Sequence, residues 1–185
     1  MNTANKLTLI RVFLVPIFMV LLMIDTTACK LSALAVFALA SITDALDGHI
    51  ARSRGQITTF GKFADPLADK ILTTSAFLAF LGMGVYRPVS GTVAIMIILT
   101  REFMVSGVRL VAVGEGEVIA ASMWGKLKTV SQMIAIIITI IFVAIWPEGK
   151  VAMLTVEILL WITVLFTVIS GAEYLIKNWN LMKLK

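Results

Sequence analysis

The chain has 185 residues, a net charge of +5 and a mean hydropathy of +0.99, with 59% hydrophobic and only 15% charged residues. That composition excludes an ordinary water-soluble domain and fits a protein that crosses a membrane several times. A single cysteine, Cys29, excludes an intrachain disulfide framework, and the length suits one membrane domain over 1–185.

The first apolar run, 7–24, follows Lys6 and contains Arg11. No small-x-small cleavage site comes after it, so it reads as a retained transmembrane helix rather than a signal peptide. Asp25-Thr26-Thr27 separates it from a second run, 31–51, and Ser53-Arg54-Gly55 precedes a third, 61–82. Arg87-Pro88 precedes the fourth, 89–111, and Gly114-Glu115-Gly116-Glu117 the fifth, 127–146. Pro147-Glu148-Gly149-Lys150 precedes the sixth, 151–176. Each run is near the roughly 20 residues that a spanning helix needs. Backbone in lipid must satisfy its own hydrogen bonds, which argues against sheet in runs of this length. The predicted fold is all-α: a polytopic integral membrane protein with six transmembrane helices. Gly82-Met83-Gly84 and Gly107 offer small-residue packing points. Trp124, Trp146 and Trp179 fall near the ends of runs, as an aromatic belt would.

Lysine and arginine set the expected orientation. Lys30, Arg87 and Lys150 stand at one set of helix ends, and the other thirteen of the sixteen stand at the opposite set. The richer side is cytoplasmic by this rule, which places both termini there. The expected location is a membrane with both termini on its cytoplasmic side, with no nucleic-acid partner.

Four aspartates then become conspicuous. Asp44 and Asp47 close the second run, and Asp65 and Asp69 open the third. On helices, Asp44, Asp47, Gly48 and Ala51 share one face, as do Gly61, Asp65 and Asp69. Four carboxylates aimed into one partly dehydrated site would raise one another's pKa unless a cation neutralised them. Oxygen donors suit hard divalent ions such as Mg²⁺, Mn²⁺ or Ca²⁺, and two ions would polarise a phosphoryl group. Gly48 and Gly61 leave room for a ligand, and Arg52 is suited to phosphate oxygens. The competing reading is an ion or proton pathway, or pairing of the aspartates with Arg52, Lys62 and Lys70. A pathway spreads its charges through the membrane depth, whereas these gather at one end. His49, the only histidine, lies off the Asp44/Asp47 face and reads as an interfacial side chain.

The run D-x-x-D-G-x-x-A-R-x₈-G-x-x-x-D-x-x-x-D, complete from Asp44 to Asp69, resembles the signature of the CDP-alcohol phosphatidyltransferase family. The resemblance implies a metal-dependent membrane transferase in which Asp44, Asp47, Asp65 and Asp69 hold Mg²⁺ or Mn²⁺, two ions in all. Asp69 would be a ligand of the second metal, the catalytic base, or both. Gly48, Ala51, Arg52 and Gly61 would bind the CDP part of the donor, CDP-diacylglycerol. It also implies a homodimer among membrane lipids.

The opening Asn5-Lys6-Leu7-Thr8-Leu9-Ile10-Arg11 resembles the N-x-L-T-x-x-R start of the bacterial, glycerophosphate-using branch of that family, with Ala4 where a proline often stands. Asn5 and Thr8 are then donor-binding candidates; otherwise they form an ordinary helix start. Thr100-Arg101-Glu102-Phe103, Gly107-Val108-Arg109 and Gly125-Lys126-Leu127-Lys128-Thr129 resemble the same branch. Its acceptor, sn-glycerol 3-phosphate, needs a basic pocket, for which Arg109, Lys126, Arg101 and Lys128 are the candidates. Arg101 has a competing local partner in Glu102, Lys126 a competing role in topology, and Lys128 a competing role in snorkelling to headgroups. Inositol phosphate, serine or phosphatidylglycerol as acceptor remains open, as does a divalent-cation transporter.

Overall fold

The computed structural model describes the backbone of residues 3–53, 59–114, 119, 122–147 and 149–179, and the side chains of residues 9–43, 70–112, 119, 122–147 and 149–179. Six helices and no strand occur among the described residues: α1 (Thr3–Met23), α2 (Thr27–Ser53), α3 (Thr59–Gly82), α4 (Pro88–Gly114), α5 (Met123–Ile145) and α6 (Lys150–Lys177).

Several helices extend beyond their apolar runs because polar caps, not hydrophobicity, set their ends. Thr26 starts α2 four residues before Leu31: its hydroxyl accepts the Cys29 N–H at 3.3 Å and its carbonyl the Lys30 N–H at 3.1 Å. Ser122 starts α5 four residues before Leu127 by accepting the Gly125 N–H at 3.1 Å. At the far end of α3 the Gly84 N–H donates to Leu81 O at 3.0 Å and the Val85 N–H to Phe80 O at 2.9 Å. That pair of bonds is a Schellman cap, which needs the left-handed backbone that Gly84 adopts at φ 73°. Gly84 therefore ends a helix; nothing stands within 4 Å of where its Cβ would be.

The helices pack into one bundle. Phe18 of α1 meets Phe37 of α2 with ring centroids 5.6 Å apart, and Phe80 of α3 meets Tyr86 edge-on at 5.9 Å. Ile136 and Ile140 of α5 and Val156 and Leu160 of α6 complete the same buried core. Ala33, Ala40, Ala76, Ala94 and Ala135 are also buried, and such small side chains let helix backbones approach closely.

The outside of the bundle is apolar too. Phe13 and Ile17 of α1, Leu39 of α2, Leu78 of α3, Met96 of α4, Val130 and Ile134 of α5, and Leu165 and Val168 of α6 are all exposed. A water-soluble monomer rarely carries apolar surface of that extent, whereas lipid matches it. Of the six expected spans, α5 and α6 are long and apolar enough by themselves to cross a bilayer. The described apolar stretches of α1 to α3 are shorter, at Leu9–Met23, Thr27–Thr43 and Lys70–Gly82.

At the end of the bundle far from the aspartate motif, Lys30 is buried. Its ammonium pairs with Asp25 at 2.6 Å and donates to the Val143 carbonyl at 3.4 Å. Beside it the Thr27 hydroxyl donates to Ala144 O at 3.0 Å. These two contacts occupy carbonyls in the last turn of α5 that have no partner within the helix. The hydrogen bond from Lys30, and then its charge, hold the exposed Asp25 carboxyl below its ordinary value of 3.8. A depressed native pKa contributes stability above the unfolded value and loses it as pH falls through the native one. Asp25→Asn is therefore expected to lower the melting temperature of the detergent-solubilised protein at pH 7. The gap to the parent chain should close on acidification below the ordinary carboxylate range; a gap that persists there excludes the ion pair as its source.

Candidate active site

Helix α2 runs unbroken to Ser53, and α3 begins at Thr59. Both helices extend past the expected runs 31–51 and 61–82: α2 continues through Arg52 and Ser53, and α3 already includes Thr59 and Phe60. Six residue steps reach at most roughly 20 Å, so the two helix ends are neighbours. Continuous helix on both sides also makes the aspartate spacings true helical spacings. The side chains of Asn5, Thr8, Asp44, Asp47, Gly48, His49, Ala51, Arg52, Gly61, Asp65 and Asp69 lie outside the described residues.

Directly after Asp69 comes Lys70, whose ammonium donates to the Ser106 hydroxyl on α4. Ser106 in turn donates to the Glu102 carbonyl one turn earlier, at 2.6 Å. The Glu102 carboxylate is ion-paired to Lys128 of α5, and Arg101 Nη1 stands 3.4 Å from the same oxygen. The side chains of Lys128, Glu102 and Arg101 are only 5, 11 and 12% exposed, so this is an interior cluster. Among the described residues it joins three cations, Lys70, Arg101 and Lys128, to the Glu102 carboxylate. Removing Lys128 or Glu102 leaves the other charge buried without its main described partner.

Two further contacts extend the cluster to α6. The Arg109 guanidinium lies over the Tyr174 ring, 5.8 Å from its centroid, a cation–π arrangement. Gly171 lets α6 approach Arg101: a Cβ there would stand 3.1 Å from Arg101 Cγ, so an alanine would push the arginine stem aside. Two buried polar atoms, Arg101 Nε and the Tyr174 hydroxyl, have no hydrogen-bond partner among the described residues. Buried polar groups are normally satisfied, and ligand oxygens would satisfy both of these.

The structure thus treats the four acceptor candidates differently. It brings Arg101 and Lys128 together on Glu102 and sets Arg109 on Tyr174. Lys126 is exposed, two residues from Lys128 and nearly opposite it around α5. Lys128 is buried in an ion pair rather than reaching toward headgroups, and the competing local pairing of Arg101 with Glu102 is present. Glu102, Lys70, Ser106, Tyr174 and the fully buried Arg11 were not among the expected site residues. The signal for Glu102 and Arg11 is a charge inside an apolar helix, which is costly without a purpose.

The family model for CDP-alcohol phosphatidyltransferase matches residues 1–169. The chain belongs to the CDP-alcohol phosphatidyltransferase family. It is 38% identical to the CDP-diacylglycerol–glycerol-3-phosphate 3-phosphatidyltransferase of Bacillus subtilis, over 98% of this chain and 97% of that one. It is 38% identical to a probable phosphatidylglycerophosphate synthase of Mycobacterium tuberculosis, over 94% of this chain and 79% of that one. A CDP-diacylglycerol–glycerol-3-phosphate 3-phosphatidyltransferase of Haemophilus influenzae is 32% identical over 94% of this chain and 91% of its own. The four aspartates of α2 and α3 and the buried cation cluster of α3, α4 and α5 all lie within the residues that the family model matches.

Lys128→Met is expected to destabilise the bundle by roughly 3 kcal/mol, because it leaves the Glu102 carboxylate buried with a single weaker partner. Adding Glu102→Gln to it should recover a large part of that loss. Urea or thermal unfolding of the four chains of this double-mutant cycle measures the coupling; additive losses would show that the pair contributes nothing as a pair.

Proposed function

We propose that this chain transfers the phosphatidyl group of CDP-diacylglycerol to sn-glycerol 3-phosphate, giving phosphatidylglycerophosphate and CMP. The observation that carries the acceptor half is the buried cluster of Lys70, Arg101 and Lys128 around Glu102, with Arg101 Nε left for a ligand oxygen. It begins one residue after the last aspartate of the motif. The names of the full-length relatives agree with this reading. The donor half rests on the aspartate signature and on the family.

In this reading all six helices span a bacterial cytoplasmic membrane, with both termini and the site on the cytoplasmic side. The exposed apolar faces of all six helices and the bias of lysine and arginine support it. Lys30, one of only three cations at the opposite ends, is neutralised by Asp25. The enzyme works as a homodimer, an inference from family resemblance alone.

Asp44, Asp47, Asp65 and Asp69 fit hard divalent ions, because they form an all-oxygen donor set on two adjoining helix ends of continuous backbone. They would hold Mg²⁺ or Mn²⁺, two ions, whose chemistry when bound is to neutralise the pyrophosphate and the charge leaving with CMP. The chain's own residues do the rest. Gly48 and Gly61 leave space for the nucleotide, and Asn5, Thr8, Ala51 and Arg52 hold it. Arg101 and Lys128, with Arg109 and Lys126 toward the surface, bind the acceptor phosphate. Asp69 takes the proton of the acceptor's 1-hydroxyl as that oxygen bonds to the lipid-side phosphorus; the bond to the CMP oxygen breaks and CMP departs. The diacyl chains stay in lipid throughout, beside the apolar outer faces of the helices.

Purified protein incubated with CDP-diacylglycerol, Mg²⁺ or Mn²⁺, and each acceptor in turn is expected to release CMP in dependence on glycerol 3-phosphate. Release only with inositol phosphate, serine or phosphatidylglycerol would move the chain to another branch. Metal flux into liposomes with no CMP release would replace the enzyme by a transporter. Asp69→Asn should lower kcat by about 10²–10⁴-fold, the range that general bases contribute; full turnover would remove Asp69 as the base.

A further inference from the structure

One turn below the aspartates on the membrane side, a cavity of about 200 Å³ opens between α1, α2, α3 and α5. Its polar lining is Arg11, Ser41, Thr73 and Thr129, and Leu72 and Met133 are among its apolar lining. Ser41 precedes Asp44 by three residues and Thr73 follows Asp69 by four, so both continue the aspartate faces inward. The same two helices that bring the cations supply the rest: Thr73 follows Lys70 by three residues on α3, and Thr129 adjoins Lys128 on α5. The cavity therefore lies beside both the reacting end of the site and its cationic end.

The hydroxyls have a definite polarity. Ser41 donates its proton to Phe37 O at 2.8 Å, Thr129 to Gly125 O at 3.1 Å, and Thr73 to Lys70 O at 3.3 Å. A hydroxyl that has given its proton to its own helix offers lone pairs to a ligand. Arg11, fully buried, also lines the cavity and carries only N–H donors. Such a lining matches a ligand with O–H groups and a short carbon chain. The ester oxygens of a diacylglycerol could use Arg11 but not the lone pairs of the three hydroxyls, which only a ligand O–H can use. The size agrees: drug-sized ligands occupy roughly 300–1,000 Å³, and this space is smaller.

We infer that this cavity is the polyol subsite of the acceptor, where Ser41 and Thr129 accept the 2-hydroxyl proton of glycerol 3-phosphate and Arg11 faces the 2-oxygen. The inference rests on the acceptor assignment above and adds to it a second recognition element beside the phosphate pocket. The phosphate would be held by the cations, the 1-hydroxyl would face the aspartates, and the carbon between them would be read by hydroxyls. Ser41 and Thr129 then act as specificity residues.

The test compares two acceptors on the purified full chain, glycerol 3-phosphate and 3-hydroxypropyl phosphate, which has the same chain without the 2-hydroxyl. CMP release is followed at saturating CDP-diacylglycerol. The parent chain is expected to favour glycerol 3-phosphate by about tenfold in kcat/KM, the worth of one well-made hydrogen bond. Ser41→Ala and Thr129→Val should each bring that ratio toward one. A parent ratio near one, which needs no variant to fold, overturns the subsite while leaving the acceptor assignment intact. Variants that lose activity on both acceptors with the ratio preserved overturn it as well. No glycerol-3-phosphate-dependent CMP release from the parent chain overturns the acceptor assignment, and the subsite with it.

Discussion

Glu102 is a carboxylate in the middle of an apolar helix, and the inner arrangement of the bundle follows from how it is compensated. Lys128 must come from α5 to meet it, which ties the register of α5 to that of α4. Arg101 shares the same oxygen and so is held against α6, where Gly171 leaves it space. Ser106 gives its proton to the Glu102 backbone and takes one from Lys70, which brings in α3. In lipid, helices have no water to squeeze out from between them, so polar contacts and small-residue packing decide how they sit. A single buried acid thereby specifies the neighbours of three helices, and it does so with cations that a phosphate can share.

In the proposed function the two halves of the site have different origins. The proposed donor half is a contiguous stretch, Asp44 to Asp69, where a fixed spacing on two helix ends is enough to define it. The proposed acceptor half is assembled from residues of α3, α4 and α5, backed by α6, and no short stretch contains it. On that reading a change between Asp44 and Asp69 alters the leaving group's site, while a change in α4 or α5 alters the acceptor's.

The number and order of the helices could be read from the chain, because long apolar runs leave little alternative in a membrane protein. Their ends could not. Ser122 and Thr26 cap helices that begin four residues ahead of the apolar residues that announce them, and hydropathy does not register a cap. That shift bears on the site. Lys126 and Lys128 are equivalent in composition and differ only in which side of α5 they occupy, which the sequence does not show. Glu102 was legible only as a local partner of Arg101, because its main partner, Lys128, lies 26 residues away and nothing local betrays that pairing. The charge within an apolar run was visible in both Glu102 and Arg11; what was missing was the geometry that gives such a charge an address.

At the other end of the bundle, Lys30 and Asp25 have a consequence for biogenesis. In the proposed orientation the turn between α1 and α2 is carried across the bilayer when the chain is inserted, and a lone ammonium there would oppose that passage. With Asp25 five residues away and its carboxylate 2.6 Å from the ammonium, the hairpin can be translocated as a nearly neutral unit. The pair then anchors the end of α5 once that helix arrives, through the Val143 carbonyl. The same contact that fastens two helices in the finished protein therefore lowers the electrostatic barrier to assembling it.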